Sequence, residues 1–256
     1  REFEQMELEF FVPPDDSDEW FEHWCEVRRN WYLDLGMPAD RLRLRSHEGD
    51  ELSHYSKATS DVEFLFPWGW DELEGIANRT DFDLKAHSEA SGEALTYFDD
   101  ETDTHITPYV IEPSFGLDRA VMTFLVDAYT EEEAPTASGG TDRRVLLKLH
   151  PSLSPVKVAV LPLSRNERLT PLAHEVHDTV RRSGAIHGLV QFDDAQSIGR
   201  RYRRQDEAGT PFGVTIDFDT LEDQAVTIRD RDTMSQTRIP IAQLVEVLRD
   251  KIDHGW

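Results

Sequence analysis

The stretch VKVAVLPL (156–163) is almost continuously apolar, which is typical of a strand buried on both faces of a sheet. Helical and strand patterns alternate after it. The helical patterns are ERLTPLAHEVHDTVRRSG and AQSIGRRYRRQDEAG, the strand patterns are GLVQFDD and PFGVTIDF, and a hairpin and a closing helix follow. This alternation predicts a compact α/β domain over residues 153–256.

The first 152 residues are richer in strand patterns. REFEQMELEFF (1–11) alternates apolar and charged residues and predicts a β-strand. A helix is predicted next, with Ser17 as its N-cap and Gly36 at its end. SDVEFLFPWGW and DELEGIANR predict strands around a Pro-Trp-Gly turn, and TDFDLKAHSEASG predicts a helix that ends at Gly92.

The segment TPYVIEPSFGLDRAVMTFLVDAY then predicts a strand that passes into a helix at Gly116. The following stretch, TEEEAPTASGGTD (130–142), combines acids with Pro, Ser and Gly. This composition predicts a flexible surface loop or linker.

The net charge of −24 is concentrated in the first 154 residues, which hold 13 Lys and Arg against 35 Asp and Glu. Residues 155–256 hold 14 against 16. A dense acidic surface keeps a protein hydrated in strong salt, so we interpret the acidity as adaptation to a salt-rich cytoplasm. An acidic chain is ordinarily a poor binder of nucleic acid, although the near-neutral C-terminal region leaves that option open.

The cysteine content and the hydropathy pattern indicate in which cellular compartment the protein is expected. The single cysteine, Cys25, excludes an internal disulfide, favours a reducing cytoplasm, and is predicted to be buried. The sequence has no run of about 18 apolar residues and no basic leader. Neither a membrane span nor a secretory signal is therefore expected.

The motif EPSFGLDR (112–119) is a candidate binding site. Glu112 and Ser114 share one face of the predicted strand and offer acceptors for an ammonium group or Mg²⁺. Gly116 opens the helix, where backbone N–H groups favour an anion, and Arg119 in the first turn suits a phosphate. The alternative is an ordinary turn whose arginine pairs with an acid.

A second candidate is one face of the first strand. Arg1, Phe3, Gln5, Glu7 and Glu9 point the same way, and this face could hold a purine against Phe3, an anion near Arg1 and a cation near Glu7. The alternative is a solvent-facing edge.

Two further groups of charged residues stand out. Glu72 and Glu74 are predicted to share a strand face, with Arg79 at the following turn, although acids in so acidic a chain usually serve solvation. A basic cluster around one aromatic ring suits phosphate and base contacts, and it comprises Arg200, Arg201, Tyr202, Arg203 and Arg204. Its alternative is pairing with Asp206 and Glu207. The histidines have no metal-ligand spacing, so no zinc is expected.

Three phrases, REFEQMELEFFV, GWDELEGIANRTDFDL and PYVIEPSFGLDR, resemble the catalytic domain of the dimeric class II glycyl-tRNA synthetases of archaeal and eukaryotic type. SPVKVAVLPL and SIGRRYRRQDEAGTPFGVTID resemble their anticodon-binding domain. The resemblance implies an α/β (α+β) fold, with part of an antiparallel-sheet catalytic domain over residues 1–152. An anticodon-binding domain with a mixed sheet is implied over residues 153–256.

The resemblance also implies roles for individual residues. Arg119, which would take the γ-phosphate, and Glu112, a possible Mg²⁺ ligand, would be catalytic. The implied glycine-binding residues are Phe3, Glu4, Gln5, Met6, Glu7, Glu112, Pro113, Ser114, Phe115 and Gly116. The implied ATP-binding residues are Arg1, Glu2, Phe3, Glu72, Leu73, Gly116, Leu117, Asp118 and Arg119. The basic cluster at 200–204 would contact tRNA.

The implied activity is ligation of glycine to its tRNA through glycyl-adenylate, with ATP and Mg²⁺. The family's dimer-interface motif and α-phosphate arginine precede the region where this chain starts. We therefore expect the chain to be part of a longer homodimeric protein and to be inactive alone. The alternatives are a non-catalytic, synthetase-like accessory subunit that binds nucleic acid, and a carboxylate-based hydrolase, for which no acid pair stands out in the sequence.

Overall fold

The computed structural model describes residues 4–135 and 139–254, which fall into two compact units, Arg1–Val126 and Asp127–Trp256. The predicted domain limits, 1–152 and 153–256, describe functional regions and stay a prediction. Among the described residues, no helix is long and apolar enough to cross a membrane.

The first unit contains an antiparallel six-stranded sheet in the order β1-β8-β5-β4-β3, with β2 also paired to β8. In chain order the elements are β1 (Gln5–Glu7), β2 (Phe10–Val12), α1 (Ser17–Asp34), β3 (Leu42–Ser46), β4 (Ala58–Phe66), β5 (Gly69–Thr80), α2 (Phe82–Ser91), β6 (Tyr97–Asp99), β7 (Thr104–Ile106), β8 (Tyr109–Gly116) and α3 (Leu117–Ala128). The strands β6 and β7 form a separate small hairpin.

Helix α1 covers one face of the sheet. Tyr32 from the helix packs with Val62, Phe64 and Ile76 of the strands, and Cys25 is buried in this core as predicted. Alternation along the strands sends the other side chains to the opposite, open face, where polar groups gather.

The predicted N-cap of α1 is wrong by one residue. Asp16 occupies the cap position, while Ser17 is the first helical residue and is fully buried. The end at Gly36 (φ 91°) and the end of α2 at Gly92 (φ 75°) are confirmed, since both glycines adopt left-handed backbone angles.

The first predicted strand divides into β1 and β2, both of which pair with β8. The predicted strand of the EPSFGLDR motif is confirmed as β8, and α3 follows it directly.

The predicted flexible loop at 130–142 is wrong for its described residues. β9 (Tyr129–Pro135) and β10 (Thr141–Leu147) pair as an antiparallel hairpin. Acids of β9 lie opposite arginines of β10, and the Arg144 guanidinium donates to Glu132 at 2.6 Å. These cross-strand ion pairs make a strand of a sequence whose composition alone indicates a loop.

The second unit also holds a five-stranded mixed sheet in the order β12-β11-β13-β14-β15, which confirms the predicted fold class. Its elements are β11 (Val156–Pro162), α4 (Thr170–Arg182), β12 (Leu189–Phe192), α5 (Ile198–Glu207), β13 (Phe212–Ile216), α6 (Thr220–Asp223), β14 (Ala225–Asp230), β15 (Gln236–Pro240) and α7 (Leu244–His254). The interior strand β11 is buried along nearly its whole length, as the apolar stretch VKVAVLPL predicts.

Candidate active site

The open face of the first unit's sheet brings the predicted site residues into rows. One row crosses the sheet through Glu7, Ser114, Gly75 and Asp61, which are paired strand to strand. Residues paired across antiparallel strands project to the same side, so these four belong to one face.

The next row runs through Glu112, Ala77 and Thr59. The register of β1 and β2 against β8 places Glu9 beside Glu112 at its end. Because the central strand β5 contributes only Gly75 and Ala77 to the two rows, a space remains between the acids on either side.

This space is a cavity of about 350 Å³. It is lined by eight residues that the sequence predicts for the site, namely Gln5, Glu72, Leu73, Glu112, Ser114, Phe115, Gly116 and Arg119. It is also lined by eight others, namely His47, Ser53, Tyr55, Thr59, Asp61, Gly75, Ile76 and Ala77. The structure therefore brings the motifs around Glu72 and EPSFGLDR to one cavity.

At one end of the cavity two carboxyl groups share a hydrogen bond. Partial burial of Glu9 and its contact with Glu112 raise the pKa of Glu9 to about 7, because the two acids cannot both ionise without repulsion. The Arg79 guanidinium donates to Glu112 at 3.0 Å and to Asp83 at 2.7 Å. The cluster therefore combines an acid of raised pKa, Glu9, with an acid that is bonded to arginine, Glu112.

This acid pair is only partly predictable from the sequence. Alternation along REFEQMELE places Glu9 on the correct face, but Glu7 is the acid selected for the substrate amine. Glu7 is exposed and lies opposite Ser114, whereas Glu9 contacts Glu112. The contact of Glu9 with Glu112 depends on the register of segments that are distant in sequence, and the role of Glu7 stays a prediction.

Arg119 and the start of α3 form the other end of the cavity. Arg119 donates to the Glu72 carbonyl oxygen at 2.7 Å. Burial raises the pKa of the Glu72 carboxyl, with a further contribution from the Asp61 charge, while Arg119 opposes the shift. Gly116 lies opposite Gln5, and the Leu117 amide donates to the Glu4 carbonyl oxygen, which anchors the start of α3 against β1.

Between its two ends the cavity has a side wall of polar side chains from β3, β4 and the loop between them. The Asp61 carboxylate is hydrogen-bonded to His47 at 2.7 Å and to Arg45 at 3.0 Å. The Tyr55 ring lies under the Arg79 guanidinium, 4.4 Å from ring centroid to Cζ. Sequence reasoning missed this wall because its residues follow no recognised motif spacing.

The predicted common face of Glu72 and Glu74 is wrong. Glu74 is fully buried on the α1 side of the sheet, where its carboxylate accepts from Arg28 at 2.5 Å and from Tyr32 Oη at 2.8 Å. Glu72 instead lines the cavity. A bulge in the β4–β5 pairing shifts the register between Glu74 and Glu72, which alternation alone does not reveal.

Other predicted site residues lie around the cavity rather than in its lining. Met6 pairs with Phe115 and Pro113 with Ile76, next to the rows, while Leu117 and Asp118 lie in the first turn of α3. The predicted roles of Arg1, Glu2 and Phe3 fall outside the described residues.

The predicted Mg²⁺ contact of Glu112 stays a prediction. The Glu112 carboxylate already accepts a hydrogen bond from Arg79 and shares one with Glu9. Within residues 4–135 and 139–254, no group of three or more His, Cys, Asp or Glu side chains is arranged to hold a metal ion.

The basic cluster on α5 is only partly on the surface. Arg201 is 1% exposed, and its guanidinium donates to the carbonyl oxygens of Pro162, Asp194, Ala195 and Gln196. It fixes the C-terminal end of β11 to the start of α5 and presents no guanidinium at the surface.

The other members of this cluster differ in their surroundings. Tyr202 donates or accepts a hydrogen bond with Thr215, and Arg204 donates to Asp193 at 2.7 Å. Arg200 is exposed, and Arg203 is half-buried.

The chain is similar in sequence to known proteins. Residues 157–251 match the anticodon binding domain family. The chain is 57% identical over 255 residues to the glycine–tRNA ligase of Thermobifida fusca, covering 98% of this chain and 54% of that protein. It is 57% identical to the Cutibacterium acnes ligase and 54% identical to the Streptomyces coelicolor ligase, with 98% of this chain covered in each case. These alignments cover 53% and 55% of those proteins.

These relatives are bacterial and give no support to the archaeal or eukaryotic affinity, or to the salt adaptation, that the sequence suggested. The chain spans about half the length of the curated relatives it matches. Along nearly all of its own length it is similar to bacterial glycine–tRNA ligases.

Proposed function

We propose that the protein is a glycine–tRNA ligase that activates glycine with ATP and transfers it to the 3′ end of tRNA(Gly). One observation carries the proposal: a single small cavity joins an acid pair at one end to an arginine at a helix start at the other. The similarity to glycine–tRNA ligases supports it independently.

The acid pair is suited to an ammonium group. Glycine placed at Glu9 and Glu112 would bring a positive charge between carboxyl groups that otherwise share a proton, and both could then ionise. The Ser114 hydroxyl lies on the same face as a further acceptor. Arg79 fixes the orientation of Glu112 through its 3.0 Å hydrogen bond.

The cavity floor supports selection of the smallest amino acid. Gly75 and Ala77 form the floor between Glu112 and Asp61, so the substrate lies close to the backbone of β5. A site for glycine has no side chain to bind and must reject larger amino acids by lack of room.

The opposite end is suited to phosphates. Arg119 lies in the first turn of α3, whose backbone N–H groups and dipole favour anions. A triphosphate there would bring the α-phosphorus within reach of a carboxylate held near Glu112. Mg²⁺ would enter as the counter-ion of ATP, consistent with its usual binding through substrate phosphates rather than an all-protein cage.

The reaction then needs no protein nucleophile. The glycine carboxylate displaces pyrophosphate from ATP, and the terminal ribose hydroxyl of the tRNA displaces AMP from glycyl-adenylate. The residues contribute position and charge neutralisation. In the second unit, the match to the anticodon binding domain supports tRNA contact, for which we propose Arg200 and Arg203 rather than the buried Arg201.

Three broader proposals accompany this function. A homodimer and a cytoplasmic location follow from the proposed role in translation. The surplus of acids over bases, 51 against 27, supports adaptation to high salt, which would be seen as stability that rises with potassium chloride concentration.

The decisive assay is glycine-dependent exchange of pyrophosphate into ATP by the full-length protein, followed by charging of tRNA(Gly). Exchange should require glycine and be absent with alanine or serine. Arg119→Ala should lower exchange by about a hundredfold or more, because a phosphate loses its cation. Binding of tRNA without any exchange would instead identify a non-catalytic accessory subunit.

The acid pair also bears on the hydrolase alternative. Glycosidases keep their two carboxyl groups roughly 5 Å or more apart to admit the substrate bond. Glu9 and Glu112 are in direct hydrogen-bonding contact, and an arginine is bonded to one of them. This contact leaves no room for a glycosidic bond between the two acids and argues against a glycosidase.

A further inference from the structure

The open sheet face continues beyond the cavity as a small apolar surface. We call it the tryptophan shelf, and it consists of Leu65, Trp70 and Arg43. Leu65 and Trp70 are paired across the β4–β5 hairpin and are each 37% exposed. Large exposed apolar side chains that meet at one place are candidates for a binding surface.

The shelf adjoins the proposed phosphate end of the cavity. Trp70 and Glu72 are two residues apart on β5 and project from the same face, and Glu72 lines the cavity. Arg43 lies opposite Glu63, which lies opposite Glu72. A ligand that leaves the cavity past Glu72 therefore passes directly onto the shelf.

The shelf is held in place before any ligand arrives. The Arg43 guanidinium lies over the indole, with Cζ 4.4 Å from the Trp70 ring centroid. Glu63 fixes this guanidinium through a hydrogen bond of 2.6 Å from Arg43 Nε. A flat indole and a flat guanidinium stacked on one another form the kind of platform on which unpaired nucleobases stack.

We propose that the tryptophan shelf stacks the base next to the terminal nucleotide of the tRNA's single-stranded 3′ end during glycyl transfer. This inference rests on the proposed function. Transfer requires the terminal ribose hydroxyl to reach the carbonyl of glycyl-adenylate inside the cavity. The preceding base must then leave the cavity, and the shelf offers it an aromatic surface beside the exit.

The test compares the two reaction steps in the full-length protein. Trp70→Ala should leave the KM for ATP and glycine in pyrophosphate exchange unchanged and lower kcat/KM for tRNA charging by about ten- to a hundredfold. Trp70→Phe, which keeps a stacking ring, should recover most of the loss. Unchanged exchange also shows that the variant is folded.

The matched control is Trp68→Ala, two residues earlier in the same hairpin. Trp68 is 63% exposed but stacks on Phe66, centroids 4.6 Å apart, and Phe66 belongs to the face opposite the shelf. This variant should charge tRNA like the wild type.

A tRNA that lacks the base at the penultimate position gives the sharpest measurement. It should be charged poorly by the wild type and no worse by Trp70→Ala, because both changes remove the same contact. Additive losses, an unchanged charging rate, or a raised KM for ATP would each overturn the assignment. A wild-type protein without glycine-dependent exchange would instead refute the proposed function and, with it, the role of the shelf.

Discussion

Replacing Glu9 by Gln should stabilise the protein at alkaline pH while weakening its proposed substrate site. Partial burial and contact with Glu112 raise the Glu9 pKa from 4.5 to about 7, so folding favours the protonated form of this acid. Protonated Glu9 contributes its full stabilisation below pH 4.5, and this contribution is lost as the pH rises through 7. Glutamine keeps the neutral, hydrogen-bonding form at every pH.

The size of the effect follows from the shift. A group fully shielded from water would contribute about 3 kcal/mol for a pKa change of this size. Glu9 is exposed to solvent, so screening reduces the expected gain to about 1 kcal/mol at pH 8. For a domain of this size that is roughly a 4 °C rise in melting temperature.

Thermal melts at pH 8 and pH 5 test the reasoning. Glu9→Gln should melt higher than the wild type at pH 8 and equally at pH 5. Glu7→Gln removes a charge two residues away but keeps the contact between Glu9 and Glu112, so its gain should be smaller. An equal gain for Glu9→Gln at both pH values would refute the shared proton. In the same protein, Glu9→Gln should raise the KM for glycine at pH 8 by about tenfold or more, because a charge-assisted hydrogen bond is lost.

Two further variants and one labelling experiment test separate features. Gly75→Ala should raise the KM for glycine, because the added Cβ projects into the cavity. It should not lower the melting temperature, because that Cβ would lie 3.7 Å from Glu72 Oε1, an ordinary contact. Gly199→Ala, whose Cβ would have no atom within 4 Å, is the control and should change neither quantity. Asp206→Asn should lower the free energy of unfolding, measured by urea titration, by about 3–5 kcal/mol, because Asp206 is 1% exposed and accepts hydrogen bonds from Arg144 and Arg229. Glu207→Gln, at the exposed neighbouring residue, is the control. A loss for Asp206→Asn no larger than that of the control would contradict this account. Burial raises the pKa of the Cys25 thiol to about 11, so iodoacetamide should label Cys25 at pH 8 only after unfolding, and rapid labelling of the native protein would show that the thiol is accessible.

Local patterns predict much of the fold. The apolar stretch at 156–163, the alternating helices and the strand that ends at Gly116 depend on residues close in sequence, and the structure confirms them. The same is true of the grouping of Glu112, Ser114 and Arg119 around one cavity, because a strand followed by a helix fixes their directions.

The errors come from interactions between distant segments. The β9–β10 hairpin depends on ion pairs such as Glu132 with Arg144 across the turn, and Arg144 is also bonded to Asp206. The contact of Glu9 with Glu112, more than a hundred residues away in the sequence, depends on strand register in the same way, and the predicted role of Glu7 stays a prediction. Composition and periodicity contain no information about such contacts, whereas the folded register supplies it.

The bulge in β5 places two nearby acids, Glu72 and Glu74, on opposite faces of the sheet. Glu74 belongs to the scaffold through Arg28 and Tyr32, and Glu72 belongs to the cavity. Leu73 is the extra residue of this bulge, so its deletion would restore regular pairing with β4 and keep Glu72 and Glu74 on opposite faces, but it would remove an apolar side chain from the core. Deletion of Leu73 should therefore lower the melting temperature through lost core contacts, while Glu72 and Glu74 keep the surroundings that they have now.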